Sequence, residues 1–169
     1  MQNKKMKKLA LFICISISVS GFSQKKLDKL LKRQNTESTP YISVDALKNI
    51  QNNVILLDAR EEREFKISHL KDAICVGYDS FNLKKTEVKL PNKEAKIVVY
   101  CSLGIRSEDV AEKLKKAGYT NVLNLYGGIF EWKNNDLEVL NSKEKPTDSV
   151  HTFSKVWSKW LQKGIKVYD

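Results

Sequence analysis

A short segment past the middle of the chain combines a nucleophile, a turn-forming glycine and a cation. It consists of Cys101, Ser102, Leu103, Gly104, Ile105, Arg106 and Ser107. The aliphatic run Ile97–Tyr100 precedes it and indicates a buried strand, whereas the residues from Ser107 onward have helical spacing. Since ligands in open α/β sheets bind beyond the carboxyl ends of the strands, this segment is predicted to be a binding loop.

The residue types in this loop predict an activated thiol. A thiolate at Cys101 would face the start of the following helix, where unpaired N–H groups and the helix dipole stabilise an anion and lower the thiol pKa. Gly104 permits a tight turn with inward-pointing N–H groups, and Arg106 adds a permanent cation. Ser107 is predicted to be the N-cap of the helix. The alternative is that Cys101 is a small buried core residue, but packing alone requires neither Gly104 nor Arg106 at these offsets.

An α/β fold is predicted around the loop. Four short aliphatic runs are typical of strands: Val54–Leu57, Ala73–Val76, Ile97–Tyr100 and Val122–Leu125. Between them, Glu61–Ile67 has helical composition, and Ser107–Gly118 has apolar residues at helical spacing with a glycine as its stop. Because the strands are continuous apolar runs, we expect a mostly parallel central sheet of about five strands with helices on both faces.

Four stretches of the chain resemble the motifs of a single-domain rhodanese, of the sulfurtransferase family. They are Leu56–Glu61 with Glu64-Phe65, then Ser68–Ile74, Val98–Ser107 and Leu125–Trp132. They occur in the family's order over roughly residues 41–135, and four motifs in register are far more specific than any one alone. The chain departs from the family at turn positions, with Ser68 in place of the usual Gly and Lys71-Asp72 in place of the usual Pro-Gly. The resemblance implies a rhodanese-like fold and thiosulfate sulfurtransferase-like activity.

The resemblance also implies how the loop works. Cys101 would take sulfane sulfur and become a persulfide, the backbone N–H groups of Ser102 to Arg106 would cradle it, and Arg106 would help to hold an anionic donor such as thiosulfate. The Cys101 thiolate would attack the outer sulfur of thiosulfate or another persulfide, and sulfite or a thiol would leave. The persulfide would then yield its sulfur to cyanide, a thiol or a protein acceptor.

Residues outside the loop receive supporting roles from the same resemblance. Asp58 and Arg60, at the end of the first core strand, would brace the site by hydrogen bonds and ion pairing. His69 and the glycine pair at 127–128 match positions that usually serve the fold. No metal or organic cofactor is expected, because His69 and His151 belong to no Cys/His cluster at ligand spacing.

Two other functions compete with sulfur transfer. Four residues separate Cys101 from Arg106, whereas the related dual-specificity phosphatases have five and a wider cradle, so the shorter loop favours sulfur over phosphate. The second alternative is an exported sulfane-sulfur carrier, or a rhodanese-fold interaction module, without significant turnover. Nucleic-acid binding is disfavoured, because the lysines are scattered and aromatic residues are not interleaved with them.

The N-terminus resembles an export signal. Residues 1–8 carry four lysines and no acid, the apolar run that begins with Leu9–Ile15 comes next, and the small residues Gly21 and Ser23 lie two apart. This pattern predicts a secretory signal peptide over residues 1–23, cleaved after Ser23, and hence a periplasmic or secreted protein. The apolar run of about 12 residues is shorter than the roughly 20 that span a bilayer, so no stable membrane span is expected after cleavage.

Signal cleavage changes the charge and the cysteine count of the mature chain. The formal net charge of +10 falls to +6 when residues 1–23, with their four lysines, are removed. Of the three cysteines, Cys75 and Cys101 remain. Cys75 lies inside an apolar run and is predicted to be a core residue, although a Cys75–Cys101 disulfide stays open in an oxidising compartment.

The mature chain is predicted to have three parts. The full sequence, with 169 residues and 41% hydrophobic residues, is long enough for one ordinary domain. Residues 24–39 form a polar linker or short helix, residues 40–140 the rhodanese-like domain, and residues 141–169 a linker and an amphipathic helix. That helix is predicted over 150–163 from apolar residues at helical spacing, as a packing element or, alternatively, a surface for a partner or membrane. Residues 165–168 could add a strand.

Overall fold

The computed structural model describes residues 25–168, so the predicted signal peptide and its cleavage site lie outside the described residues. The described chain divides into two units between Thr36 and Glu37. In the first, residues 25–34 form a helix, α1, in agreement with the short-helix alternative for this segment. Within residues 25–168 no helix is long and apolar enough to cross a membrane.

The second unit is built on a five-stranded sheet. Its strands are β1 Tyr41–Ile42, β2 Ile55–Asp58, β3 Ile74–Cys75, β4 Ile97–Tyr100 and β5 Val122–Leu125. Their order across the sheet is β1-β5-β4-β2-β3, and every neighbouring pair is parallel. The predicted α/β fold with a parallel central sheet of five strands is confirmed. The continuous apolar run of β4 is explained by its central place, because every residue of this strand is buried.

Helices connect these strands. They are α2 Val44–Ile50, which continues into a 3-10 turn at Gln51–Asn53, α3 Glu62–Ile67, α4 Leu83–Lys89, α5 Arg106–Lys116 and α6 Gly128–Asn134. The predicted stop of α5 is confirmed, because Gly118 comes directly after its C-cap with φ +93° and donates its N–H to the Lys115 carbonyl.

The packing of β4 against α5 determines where the cysteine points. Ile97 and Val99 lie in a buried cluster with Val110 and Leu114 of α5. Since successive side chains of a strand point to opposite faces, Cys101 continues the face of Ile97 and Val99, and it belongs to the same cluster. The thiol therefore lies on the side of the sheet that α5 covers.

The turn after α3 shows how the chain accommodates its departures from the family motif. His69 exchanges backbone hydrogen bonds with Leu140, at 2.8 and 2.9 Å, and its ring stacks on Phe65. Asp72 adopts φ +61°, a conformation that glycine prefers and that aspartate tolerates better than most residues. The turn thus forms without the usual glycine.

The predicted single helix over 150–163 is wrong. The C-terminal segment, residues 139–168, instead contains an antiparallel pair, β6 Val139–Leu140 with β7 Pro146–Thr147, and a parallel pair, β8 Ser149–His151 with β9 Ile165–Val167. Only the four residues of α7, Lys155–Ser158, are helical. The strand predicted near the C-terminus is confirmed by β9.

The physical reason for the difference lies in backbone pairing and in one turn. The segment Ser149–His151 pairs with β9, and the Thr152 N–H donates to the Val167 carbonyl at 2.8 Å. Phe153 then has φ +61°, which no right-handed helix allows. The apolar residues that share a helical period therefore divide between a strand, a turn and one short helix.

Candidate active site

The loop between β4 and α5 holds Cys101 at the start of a helix. Cys101 comes directly after the last residue of β4, and α5 begins at Arg106. The thiol sulfur of Cys101, which is only 2% exposed, accepts the Gly104 N–H at 3.2 Å. Gly104 has φ +103°, and a Cβ there would lie 3.2 Å from the Leu125 carbonyl oxygen, so the turn requires glycine.

Ser107 is not the N-cap of α5, contrary to the prediction. Ile105 occupies that position without a side-chain cap, and Ser107 lies inside the first turn. Its buried hydroxyl is 3.5 Å from Cys101 Sγ and 2.7 Å from Asn124 Oδ1. The prediction failed because the side chain points inward, toward the thiol, rather than back along the helix end. Ser107 still belongs to the site, as a donor to the sulfur.

Asn124 is a site residue that the sequence reasoning missed. It lies in β5, is fully buried, and donates its amide to the Gly104 carbonyl at 2.8 Å. Its amide oxygen thereby faces the Ser107 hydroxyl, so one side chain ties the loop to the first turn of α5. The available signal was a polar residue within the otherwise aliphatic run Val122–Leu125, since a buried amide needs partners.

The start of α6 holds the other side of the loop. The Ile129 N–H donates to the Cys101 carbonyl at 2.9 Å, and the Phe130 N–H donates to the Ser102 carbonyl at 3.2 Å. Gly128 has φ +54°, and a Cβ there would lie 2.2 Å from the Cys101 carbonyl oxygen. The glycine thus allows the backbone of α6 to approach the cysteine closely.

Arg106 is engaged by a carboxylate. Its guanidinium makes two hydrogen bonds to Glu64 of α3, at 2.7 and 2.8 Å, and a third to Ser102 Oγ at 3.2 Å. Burial raises the pKa of Glu64, but the hydrogen bond and the charge of Arg106 outweigh it, so the net shift is downward. The Glu64 side chain is fully buried, and the pair is therefore held charged inside the protein.

The surroundings of Cys101 favour its thiolate. Burial raises the pKa of this thiol, but the charge of Arg106 and the hydrogen bonds from Ser107 and Gly104 lower it more, so the pKa lies below its usual value. An anion at this place also faces the N-terminus of α5. The predicted activation of the thiol therefore agrees with the geometry of the loop.

Asp58 and Arg60 form a buried ion pair one strand away. The Arg60 guanidinium donates to Asp58 Oδ2 at 2.6 Å and to the Ser68 carbonyl at 2.6 Å. Asp58 is paired in the sheet with Tyr100, the residue before Cys101, and Arg60 lies over the Tyr100 ring at 5.8 Å. The pair thus braces the strand end next to the loop.

A cavity of about 210 Å³ opens onto the thiol. Its lining residues are Cys101, Ser102, Leu103, Ile105 and Arg106 of the loop, together with Phe153 and Trp157 of the C-terminal segment. The sequence reasoning placed the two aromatic residues on a packing helix and missed them as site residues. Their signal was the aromatic content of the C-terminal segment, but nothing in the sequence indicated which element it faces.

The two cysteines of the described residues are both free thiols. Cys75 is half-buried in β3, with burial and the charge of Asp58 raising its pKa to about 11. Because β2 lies between β3 and β4, the backbones of the two cysteines are separated by two strand spacings of about 4.8 Å each, more than the Cα–Cα distance that a disulfide allows. Within residues 25–168 no three His, Cys, Asp or Glu side chains cluster as metal ligands would.

The parallel sheet, whose central strand leads through a cysteine loop into a helix, defines the protein as an α/β domain of this architecture. The profile of the Rhodanese-like domain matches residues 43–135, so the chain belongs to the rhodanese-like domain family.

Relatives share this region. An uncharacterized protein of Synechocystis sp. is 34% identical over 97 residues, which cover 57% of this chain and 52% of that protein. A tRNA uridine(34) hydroxylase of Enterobacter sp. is 30% identical over 83 residues, 47% of this chain and 24% of that enzyme. The chain thus spans about half or less of the length of these relatives. Thiosulfate sulfurtransferase from Pseudomonas aeruginosa has the same fold, with a TM-score of 0.59 and 17% identity over 82% of this chain and 26% of that one.

Proposed function

We propose that this protein is a sulfurtransferase that moves sulfane sulfur through a persulfide on Cys101. The observation that carries the proposal is a thiol with a lowered pKa that lines an open cavity, together with Arg106, and accepts the Gly104 N–H. A thiolate is the form of cysteine that attacks sulfur. Membership of the rhodanese-like family supports the same chemistry.

In the first half-reaction the Cys101 thiolate attacks the outer sulfur of the donor. With thiosulfate, the S–S bond of the donor breaks, its electron pair leaves with sulfite, and a Cys101–S–S⁻ persulfide forms. With an organic persulfide, R–S–SH, the thiolate R–S⁻ leaves instead and the proton stays on the new persulfide. No redox partner is needed, because one S–S bond forms as another breaks.

In the second half-reaction an acceptor nucleophile attacks the outer sulfur of the persulfide. Cyanide takes this sulfur as thiocyanate, and a thiolate takes it as a new persulfide, while Cys101 returns as a thiolate. In the persulfide formed from thiosulfate, the outer sulfur carries negative charge. The start of α5 and the Gly104 N–H are positioned to stabilise that charge as they do for the thiolate.

The remaining loop contacts position the nucleophile. Asn124 and the start of α6 hold the carbonyl groups of Gly104, Cys101 and Ser102, so the loop keeps its shape when the charge on sulfur moves. Two hydrogen bonds to Glu64 fix the orientation of the Arg106 guanidinium in the loop. The proposed reaction uses no metal or organic cofactor, since the covalent persulfide carries the group that is transferred.

A paired assay tests this proposal. The metal-free protein is incubated with thiosulfate and its mass is measured, and thiocyanate is then measured after cyanide is added. We expect a mass increase of about 32 Da and steady thiocyanate formation, both abolished in Cys101→Ser and both retained in the matched variant Cys75→Ser. A mass increase without turnover would leave a sulfur carrier, and no increase with thiosulfate or an organic persulfide would overturn the proposal.

We also propose that the protein acts outside the cytoplasm. The support is the basic, apolar and small-residue pattern of residues 1–23. Sequencing of the mature N-terminus tests it, and a chain that begins at Gln24 is the expected result. An intact N-terminal Met1 in the protein isolated from its cells would contradict export by cleavage.

A further inference from the structure

We propose that Phe153 and Trp157 make this site selective for sulfur donors that carry an apolar organic group. The inference rests on the proposed sulfur transfer and names the substrate class of that site. The donor would be an organic persulfide or thiosulfonate whose reactive sulfur reaches Cys101 while its apolar group packs between the two aromatic side chains. The residues that would decide the specificity thus lie outside the matched family region, which ends at residue 135.

The size and walls of the cavity support an organic occupant. Its volume is about 210 Å³, and an apolar cavity of about 150 Å³ is large enough to bind benzene in another protein. Leu103 and Ile105 form one wall of the cavity, and Phe153 and Trp157 supply apolar surface from the other segment. Burial of an apolar group against such walls is favourable in proportion to the surface removed from water.

The charge balance of the cavity also favours an organic donor over thiosulfate. Of the residues that line it, Arg106 alone carries a permanent positive charge, and Glu64 already holds its guanidinium in two hydrogen bonds. Apart from the start of α5, which already faces the Cys101 thiolate, a thiosulfate dianion would meet no unpaired positive side chain among the lining residues. Desolvation of a doubly charged donor costs more than that of a singly charged or neutral one. Because Glu64 pairs with Arg106, the electrostatic attraction of Arg106 for thiosulfate is weaker than the sequence comparison implied.

The position of Phe153 is fixed by several contacts. Its N–H donates to His151 Nδ1 at 3.1 Å, and its backbone has φ +61°, an unfavourable conformation for a bulky residue. The Arg106 guanidinium lies 5.5 Å from the centre of the Phe153 ring. Thr152, just before it, is bonded through both its N–H and its hydroxyl to the Val167 carbonyl. Strained backbone held by its surroundings is concentrated at functional sites.

The exposure of Phe153 is the second reason to connect it with a ligand. Its side chain is 47% exposed although it contacts the cavity, so it is not needed to fill the core. An aromatic ring in such a place gains from a ligand that covers its open face. Trp157, four residues further along the chain and within α7, lines the same cavity and adds a second aromatic side chain to this wall.

Two thiosulfonates that differ only in their apolar group test the proposal. Benzenethiosulfonate and methanethiosulfonate carry the same single charge, and each gives its outer sulfur to the thiolate while a sulfinate leaves. The rate constant of Cys101 persulfide formation is measured for both by mass, and each is divided by the rate of the same donor with free cysteine. We expect the normalised ratio to favour the benzene compound by about tenfold, because the ring buries more apolar surface than a methyl group.

Variants then assign the selectivity to the aromatic wall. In Phe153→Ala and Trp157→Ala the normalised ratio is expected to fall to within about threefold of unity, since the ring loses its packing partners. Val156→Ala is the matched control. Val156 lies in α7 beside Trp157, is 66% exposed and does not line the cavity. Its ratio should equal that of the wild type.

The outcomes separate this inference from the proposed function. Persulfide formation with thiosulfate and both thiosulfonates, but a wild-type ratio near unity, would overturn the selectivity and leave sulfur transfer intact. A tenfold ratio that survives both aromatic substitutions would also overturn it. Failure of all donors to modify Cys101 would instead remove the proposed function and the inference with it. The wild-type comparison needs no variant to fold.

Discussion

Cys75 and Cys101 lie at the carboxyl ends of strands in the same parallel sheet, with only β2 between their strands. Burial raises the pKa of both thiols. For Cys75 the charge of Asp58 adds to this effect and the pKa reaches about 11. For Cys101 the effect of burial is outweighed by the charge of Arg106 and the hydrogen bonds from Ser107 and Gly104, and the pKa falls.

The difference between the two thiols arises from the segment after each strand. After Cys101 the chain turns through Gly104 and enters α5 at Arg106, so the sulfur faces backbone N–H groups and a cation. After Cys75 the next helix, α4, begins only at Leu83, and among the neighbouring charges the carboxylate of Asp58 has the largest effect on the thiol pKa. A place at the end of a parallel strand is therefore not enough to activate a thiol. The loop and the helix start supply the activation.

Alkylation by iodoacetamide should show the largest difference between the two thiols. At pH 7 a thiol with a pKa of about 11 is about 0.01% thiolate, whereas an ordinary thiol with a pKa of about 8.5 is about 3% thiolate. The lower nucleophilicity of a weaker base offsets about tenfold of this difference. We expect Cys101 to react at least about twentyfold faster than Cys75 at pH 7, as measured by peptide mass spectrometry.

The pH dependence of alkylation shows whether the pKa of each thiol is raised or lowered in the folded protein. The rate at Cys101 should level off with a midpoint below that of an ordinary cysteine, because its thiolate is favoured in the folded protein. The rate at Cys75 should still rise through pH 10. Similar midpoints for the two residues would contradict the comparison. Since both thiols are read in one sample, each serves as the control for the other.

Removal of the Arg106 cation should reduce the difference in reactivity between the two thiols. In Arg106→Gln the charge that lowers the pKa of Cys101 is lost, so the midpoint of its alkylation should rise and its rate at pH 7 should fall about fivefold. The same substitution leaves the fully buried Glu64 without its ion-pair partner, which should cost about 3 kcal/mol of unfolding free energy. Urea denaturation measures that loss.

The double variant Glu64→Gln/Arg106→Gln separates the two effects. It leaves no unpaired buried charge, so part of the unfolding free energy should return while the alkylation midpoint stays high. If reactivity returned together with stability, the low reactivity of the single variant would reflect a damaged fold. That result would contradict a direct effect of the Arg106 charge on the thiol.

The fold around these thiols could be predicted because its signals are local. The run Ile97–Tyr100 is buried from end to end and apolar throughout, and the glycine after α5 ends that helix as its type predicts. The loop from Cys101 to Arg106 could be predicted from the same order of strand, turn and helix. Contacts between distant segments carry no such signal. Glu64 faces Arg106 across 42 residues, and no spacing in the sequence could indicate that pair.

In the C-terminal segment, contacts between distant residues overrode the local sequence pattern altogether. Val150, Phe153 and Trp157 share a helical period, yet the first is in a strand, the second in a turn with positive φ and the third in a four-residue helix. Backbone pairing of β8 with β9 stabilised a structure that periodicity did not indicate. Periodicity shows which residues are apolar, whereas the pairing of β8 depends on β9, whose residues lie sixteen positions further along the chain.

Removal of the Ser107 hydroxyl should change the relative reactivity of Cys101 and Cys75 less than the substitutions at Arg106. Ser107 Oγ is closer to Asn124 Oδ1, at 2.7 Å, than to Cys101 Sγ, at 3.5 Å, so its one proton is shared and its effect on the sulfur is partial. In Ser107→Ala the alkylation midpoint of Cys101 should rise, and its rate at pH 7 should fall about twofold while that of Cys75 stays unchanged. A midpoint that does not move would place the proton on Asn124 alone, and the activation of Cys101 would then rest on Arg106, Gly104 and the start of α5.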